Sequence, residues 1–226
     1  MTTIEFFHDA VCGWCYLLSP RLRQMVKEYD VTIVHRAYVL QRNNDEIAKR
    51  FGSLELAKSE ILWHWQQCKS QAENPSRINI EGMRAANFTY PSGFNAALAM
   101  KKAEAIEGQS GQWRYFDAVQ NAHLKISKNI ADIKVLLDIA ELRGFSRKEF
   151  KELMELDSTL YAVEHDIAAA RNLGVRSVPS MLINVKRLMS ETLTLDQLRA
   201  LFYQLGIAPK ARNKALVNDQ HHYIFK

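Results

Sequence analysis

Cysteine is scarce in this chain, with three among 226 residues. That is too few for a disulfide scaffold at this size, and in a reducing compartment a close pair is more often catalytic or metal-binding than structural. Long apolar runs are missing too. None approaches the ~18 residues of a membrane span, since even Ile61-Leu62-Trp63 is interrupted by His64 and followed by Gln66 and Gln67, so no membrane insertion is expected. No block of like charge dominates either. Thirty Lys and Arg against 25 Asp and Glu leave a formal charge of +5, too mild and too dispersed to point to nucleic acid. The opening residues MTTIEFFHDAVC show no positive n-region, no apolar h-region and no small-residue cleavage site, which makes a cytoplasmic location the expectation. Internal repeats and low-complexity linkers are absent from the sequence.

What remains is a chain with 47% hydrophobic residues, enough to bury a substantial core in one or two compact units. Residues 2–7 are β-branched and aromatic and too short for a stable helix, so they predict a buried strand ending at Asp9. Residues 19–29 carry Leu22, Met25 and Val26 at helical spacing, with Pro20 tolerated at the helix start. Residues 31–39 are β-rich again, giving the strand–helix–strand unit that builds parallel sheets. Long helical stretches follow, over 53–73, 92–107 and 111–126. The stripe Ile133, Leu136, Leu137 and Ala140 marks another helix that stops at Gly144. A further helix carries Leu160, Val163 and Ile167. Strand character returns at 178–183, a turn is expected at Lys186 and Arg187, and 195–205 closes as a helix.

The chemistry gathers at Cys12-Gly13-Trp14-Cys15, where a strand gives way to a helix. Two cysteines at that spacing lie one helical turn apart, close enough for a small-loop disulfide. Cys12 is expected to be the exposed one. It lies beside the unsatisfied N–H groups of the first turn, whose partial positive charge favours thiolate over thiol. Cys12 is therefore the expected first attacker and better leaving group, with Cys15 as the resolving thiol. A zinc site would need two further ligands at sensible spacing, and Cys68 has no sequence neighbour to supply them, so no metal is expected. Pro179 stands at the first residue of a strand. A cis Val178–Pro179 bond there would set the Val178 backbone beside the cysteines, ready to pair with an extended substrate segment; a trans strand-start proline is the plain alternative. His8 and Asp9 precede the pair closely and are candidate proton relays, although loop polar groups commonly do nothing. Cys68, alone in a helix, reads as a small buried hydrophobe, and Trp63 and Trp65 face different sides of that helix.

These residues resemble the DsbA-like branch of thioredoxin-fold proteins, particularly its cytosolic FrnE-like members. The resemblance rests on Asp9-Ala10-Val11-Cys12-Gly13-Trp14-Cys15-Tyr16 after a first strand, on Asn129-Ile130-Ala131-Asp132 leading into a helix, and on Gly174-Val175-Arg176-Ser177-Val178-Pro179-Ser180. It implies an α/β thioredoxin-like fold with a large all-helical insertion: a core from 1–42 and 157–206, the insertion over 43–156 and a C-terminal tail over 207–226. It implies Cys12 as nucleophile, Cys15 as resolver, a cis Pro179, and a substrate surface from Gly13, Trp14, Val178 and Pro179. The expected activity is thiol–disulfide exchange with protein thiols and disulfides or with low-molecular-weight thiols. No cofactor is needed beyond the redox-active disulfide, and glutathione is a candidate co-substrate.

The chain departs from the pattern where many relatives have Pro for Gly13, Gly for Ser177, and Asn-Gly for Asn184-Val185. The last implies a different hairpin turn, because Val resists positive φ. Two other functions use the same architecture. One is a cytosolic adaptor that delivers a regulator to a protease with dispensable cysteines. The other is a glutathione-dependent isomerase or transferase, whose members usually place Ser where this chain keeps Cys12.

Overall fold

The computed structural model describes residues 2–210. Of the expected C-terminal tail, 211–226 lie outside the described residues. Strand β1 (Thr2–His8) leads through Asp9–Cys12 into α1 (Gly13–Glu28), and β2 (Val31–Ala37) follows. Then come α2 (Asn44–Phe51), α3 (Leu54–Ser70), a 3-10 turn at Pro75–Arg77, α4 (Ile80–Ala85) and α5 (Phe94–Gln120). A π turn at Asn121–Lys125 extends α5, and α6 (Ile133–Leu142), α7 (Arg147–Met154) and α8 (Asp157–Asn172) complete the helical stretch. The chain returns to the sheet with β3 (Ser180–Ile183) and β4 (Arg187–Met189) and ends in α9 (Leu195–Gln204).

The sheet has the order β2-β1-β3-β4, with β1 parallel to β2 and antiparallel to β3. This is a DsbA-like thioredoxin fold. The central strand is apolar on both faces, as a strand covered on both sides must be. Ile4, Phe6 and His8 point into the main core, where Phe6 and His8 pack on Phe116 of α5. Phe7 points the other way, into a smaller cluster with Ala170, Val175 and Leu182. The end of β2 is tied to α8 by Asp166, which is buried, accepts the Ala37 N–H at 2.8 Å and pairs with Arg36 at 3.2 Å and Lys101 at 2.5 Å. Glu5 pairs with the same Arg36 at 2.7 Å.

Several local expectations change. Helix α1 begins at Gly13, not near residue 19, so Pro20 lies inside it. Such a proline costs about 3 kcal/mol in an isolated helix. Here burial of Cys15, Leu18, Leu22 and Met25 along one face holds the helix together. The expected helices over 92–107 and 111–126 form one element kinked at Glu107 and Gly108, where Gly108 takes φ +64°. The stripes are narrower than expected, because Ile133 and Leu160 are exposed while Leu136, Ala140 and Val163 are fully buried. The hairpin after β3 does adopt positive φ, with Asn184 at +50° and Val185 at +57°. Those angles match a type I′ turn, which suits the twist of the flanking strands and overrides the reluctance of Val. Arg187 is already in β4.

Candidate functional site

Cys12 is the N-cap residue of α1, in extended conformation, and its sulfur accepts the Cys15 N–H at 3.3 Å. A side chain in that place satisfies one of the orphan donors every helix start presents. The same sulfur lies 3.6 Å from the Val178 carbonyl, and the Val178–Pro179 peptide is cis. Thus the two segments 166 residues apart meet at one sulfur. Behind it the loop is fixed from several sides. Cys12 N–H donates to the Asp9 carbonyl at 3.1 Å. Gln120 of α5 donates to the Cys12 carbonyl at 3.1 Å. The Tyr90 hydroxyl lies 3.0 Å from the Val11 carbonyl and 3.1 Å from His123 Nε2. Burial pulls His123 down to about 4, so it is neutral at physiological pH.

The expectation that Cys12 is exposed needs correction. It retains 7% of its surface, and Cys15 none. The cover comes from helices far along the chain. Cys12, Gly13 and Trp14 open into a cavity of about 220 Å³ whose walls include Phe51, Ile61 and Trp65 from α2 and α3. All three cysteines are free thiols. Burial pushes the Cys15 thiol well above the ordinary range, and contact with Cys12 adds to this. The backbone N–H of Asp9 acts on Cys15 in the opposite direction.

Asp9 is buried, and desolvation raises its carboxyl to about 6, although N–H groups of Leu40 and Val11 stabilise the charged form. Gly93 makes room for it, since a Cβ there would lie within 2 Å of Asp9 Oδ1. His8 takes a different place. It is buried on the β1 face that meets α5, with Nε2 2.9 Å from Nδ1 of His35. Desolvation lowers both imidazoles, His35 to about 3. The structure therefore brings Asp9 to the cysteines and turns His8 away.

Gly13, Trp14 and Val178 line the cavity with Cys12, and Pro179 adjoins it. Cys68 is buried as expected, but it is not remote. It lines the same cavity, and a Cβ on Gly13 would stand 3.0 Å from its sulfur. Tyr90, Gly93, Gln120 and Leu40 were not singled out from the sequence. Their partners are 30 to 110 positions away, and no local pattern marks them. Among the described residues, no group of three or more His, Cys, Asp or Glu gathers as a metal site, and no helix is long and apolar enough to cross a membrane.

A four-stranded mixed sheet, a Cys-x-x-Cys pair capping its first helix and a cis X-Pro bond facing that pair define a thioredoxin-class protein of the type interrupted by helices. The chain belongs to the family of DSBA-like thioredoxin domains, whose model matches residues 3–203. It is similar to the ClpXP adapter protein SpxH of Bacillus subtilis, at 25% identity over 178 residues, covering 79% of this chain and 56% of SpxH. The chain thus spans a little over half the length of that relative. Among solved structures, it resembles a protein from Nitrosomonas europaea provisionally assigned as a protein disulfide isomerase. The TM-score is 0.71 at 17% identity, over 90% of this chain and 98% of the other. It also resembles the cytosolic disulfide reductase DsbM of Pseudomonas aeruginosa with GSH, at TM-score 0.65 and 18% identity, over 91% of this chain and all of the other. At these identities the structural likenesses establish the fold.

Proposed function

We propose that this chain is a thiol–disulfide oxidoreductase acting through Cys12 and Cys15. The observation that carries the reading is the placement of the Cys12 sulfur, capped by the Cys15 N–H at 3.3 Å and facing the Val178 carbonyl at 3.6 Å. The thiolate is the attacking species in such an exchange, and the Cys15 N–H at the helix start is placed to hydrogen-bond that sulfur. The Cys12 thiolate attacks one sulfur of a substrate disulfide, forming a mixed disulfide and releasing the other half as a thiolate. Cys15 then gives up its proton and attacks the Cys12 sulfur. The substrate leaves reduced, and the Cys12–Cys15 disulfide is the oxidised product.

Asp9 is the acceptor for the Cys15 proton, since a carboxyl raised to about 6 by burial takes up and gives back a proton near neutrality. Gly13, Trp14, Val178 and Pro179 form the surface on which the substrate sulfur is presented. The reading keeps protein or low-molecular-weight thiols as partners, glutathione as a candidate co-substrate, and a cytoplasmic location, without nucleic acid or membrane. It also keeps the division into a core of 1–42 and 157–206 and an insertion of 43–156. Similarity to DsbM, a disulfide reductase solved with GSH, supports it. Cys12→Ser is expected to abolish reduction of insulin and oxidation of reduced ribonuclease, and Cys15→Ser to accumulate a mixed disulfide on Cys12. Turnover that survives Cys12→Ser overturns the reading.

A second reading, a protein-binding adaptor, is favoured by the similarity to SpxH. It expects a partner retained in pull-downs by a Cys12→Ser, Cys15→Ser double variant of a protein without turnover.

A further inference from the structure

We infer that the site takes small disulfides bearing both a carboxylate and an ammonium group, held by Arg50 and Glu60 at the mouth of the cavity, in preference to folded proteins. The inference rests on the reading of Cys12 as the attacking sulfur.

Access to Cys12 carries the first part. The sulfur is reached through a cavity of about 220 Å³, below the ~300–1,000 Å³ of ordinary ligand pockets. That volume admits one arm of a small disulfide. A sulfur held at the surface of a folded protein would have to pass between α1 and the α2–α3 helices that wall the cavity. Inside, Trp14, Phe51, Ile61 and Trp65 offer apolar surface for the carbon chain of such an arm.

Charge at the rim carries the second part. Arg50, at the end of α2, is exposed and borders the cavity. Its guanidinium lies over the Phe51 ring at 5.5 Å and has no ion-pair partner among the described residues. Glu60 of α3 borders the same cavity, and its one contact is His64 at 4.0 Å, an exposed pair of little worth. An unpaired guanidinium and a weakly held carboxylate thus stand on one rim above a reactive sulfur. Such a rim fits a molecule that carries the opposite two charges, as amino-acid-derived thiols do. A zwitterion has no net charge to be steered by, so discrimination must come from simultaneous contact with both rim groups.

The step balances without an added reductant in a single turnover. The reduced Cys12–Cys15 pair loses two electrons and two protons, and one disulfide becomes two thiols. Pre-reduced protein is mixed with excess cystine, whose halves each carry one carboxylate and one ammonium, or with bis(2-hydroxyethyl) disulfide, which has neither charge, and oxidation of the pair is followed by tryptophan fluorescence. Cystine is expected to react faster and to show saturation. In Arg50→Gln and in Glu60→Gln, the ratio of the two second-order rate constants, charged over neutral, is expected to fall about tenfold, the size of one charge-assisted contact. An unchanged ratio in both variants overturns the inference, as does insulin oxidising the pair faster than cystine. If the unsubstituted protein reacts with neither small disulfide nor insulin, the redox reading itself falls, and this inference with it.

Discussion

Gly13 is the residue whose substitution tests the packing of the site most directly. It stands between the two cysteines at the first position of α1, where proline is favoured because its missing N–H would be an orphan in any case. Helix chemistry therefore gives no reason to avoid proline or any side chain there. Packing does. A Cβ at Gly13 would lie 3.0 Å from the sulfur of Cys68, 3.6 Å from its Cβ and 3.5 Å from Leu124 Cδ2. Carbon contacts are optimal near 3.5–4.0 Å, so the sulfur would have to retreat by roughly half an ångström. Cys68 and Leu124 are both buried, and retreat means overpacking of a filled core at about 1–3 kcal/mol. Replacing glycine within a helix returns about 0.5–1 kcal/mol.

The net expectation for Gly13→Ala is a loss of about 1–2 kcal/mol, a fall in Tm of roughly 5 °C for a chain of this length. Cys68→Ala removes the sulfur that would clash. In the double variant, the alanine at 13 should be tolerated, with a coupling energy of about 1–2 kcal/mol between the sites. The assay is urea unfolding of the parent, both single variants and the double variant under reducing conditions. Additivity within about 0.5 kcal/mol, the value for independent sites, would refute the argument. In that case, some other cause sets glycine at this position.

Two further predictions follow from buried and strained groups. Burial raises Asp9 from 3.8 to about 6, so the folded state holds the proton more tightly than the unfolded one, and stability from this group is lost as pH rises between those values. At about 1.4 kcal/mol per pH unit the full effect is about 3 kcal/mol, of which about 2 falls between pH 4.5 and 7.5. Asp9→Asn should therefore gain on the parent by about that amount over this interval in chemical denaturation, and a pH-independent difference would contradict it. Val185 is 71% exposed and held at φ +57°, where a β-branched residue costs about 1–3 kcal/mol. Val185→Gly is expected to raise Tm by a few degrees, after the entropy that glycine loses on folding; a lower Tm would show that the valine side chain contributes packing that its exposure conceals.

The parts of this fold that were legible in the sequence are those with local causes. β-Branched and aromatic runs marked β1, β2 and β3, and the cysteine pair and Pro179 announced a junction and a strand start. The short helices α2 and α7 escaped because each buries one residue, Ile47 and Phe150, too few for a stripe. Their caps were readable nonetheless: Asn43 and Ser146 each cap a helix with Glu three residues on, at Glu46 and Glu149. His8 could have been placed in the core, because it continues the alternation of Ile4 and Phe6. Cys12's cover, the Gly13–Cys68 contact and the Asp9–Gly93 fit are long-range consequences of how the helices settle on the sheet. Spacing along the chain carries no signal for them.

In the proposed thiol–disulfide exchange, the unlike surroundings of the two sulfurs determine the order of events. Cys15 is sealed, and burial holds its thiol in the protonated form, so it cannot meet a substrate from outside or compete for one. Cys12 borders the cavity and receives an N–H from the helix it caps. Of the two paired sulfurs, a disulfide entering the cavity therefore meets only that of Cys12; Cys68 lines the same cavity, but burial holds its thiol in the protonated form. Once Cys12 is in a mixed disulfide it no longer carries negative charge, and its repulsion of a developing Cys15 thiolate disappears. Asp9, within electrostatic reach and itself poised near neutrality, can then draw the proton away. On this argument the resolving step is gated by the first, and Asp9→Asn should slow release of the mixed disulfide far more than its formation. Equal slowing of both steps, measured by single-turnover trapping, would mean that Asp9 only shapes the loop.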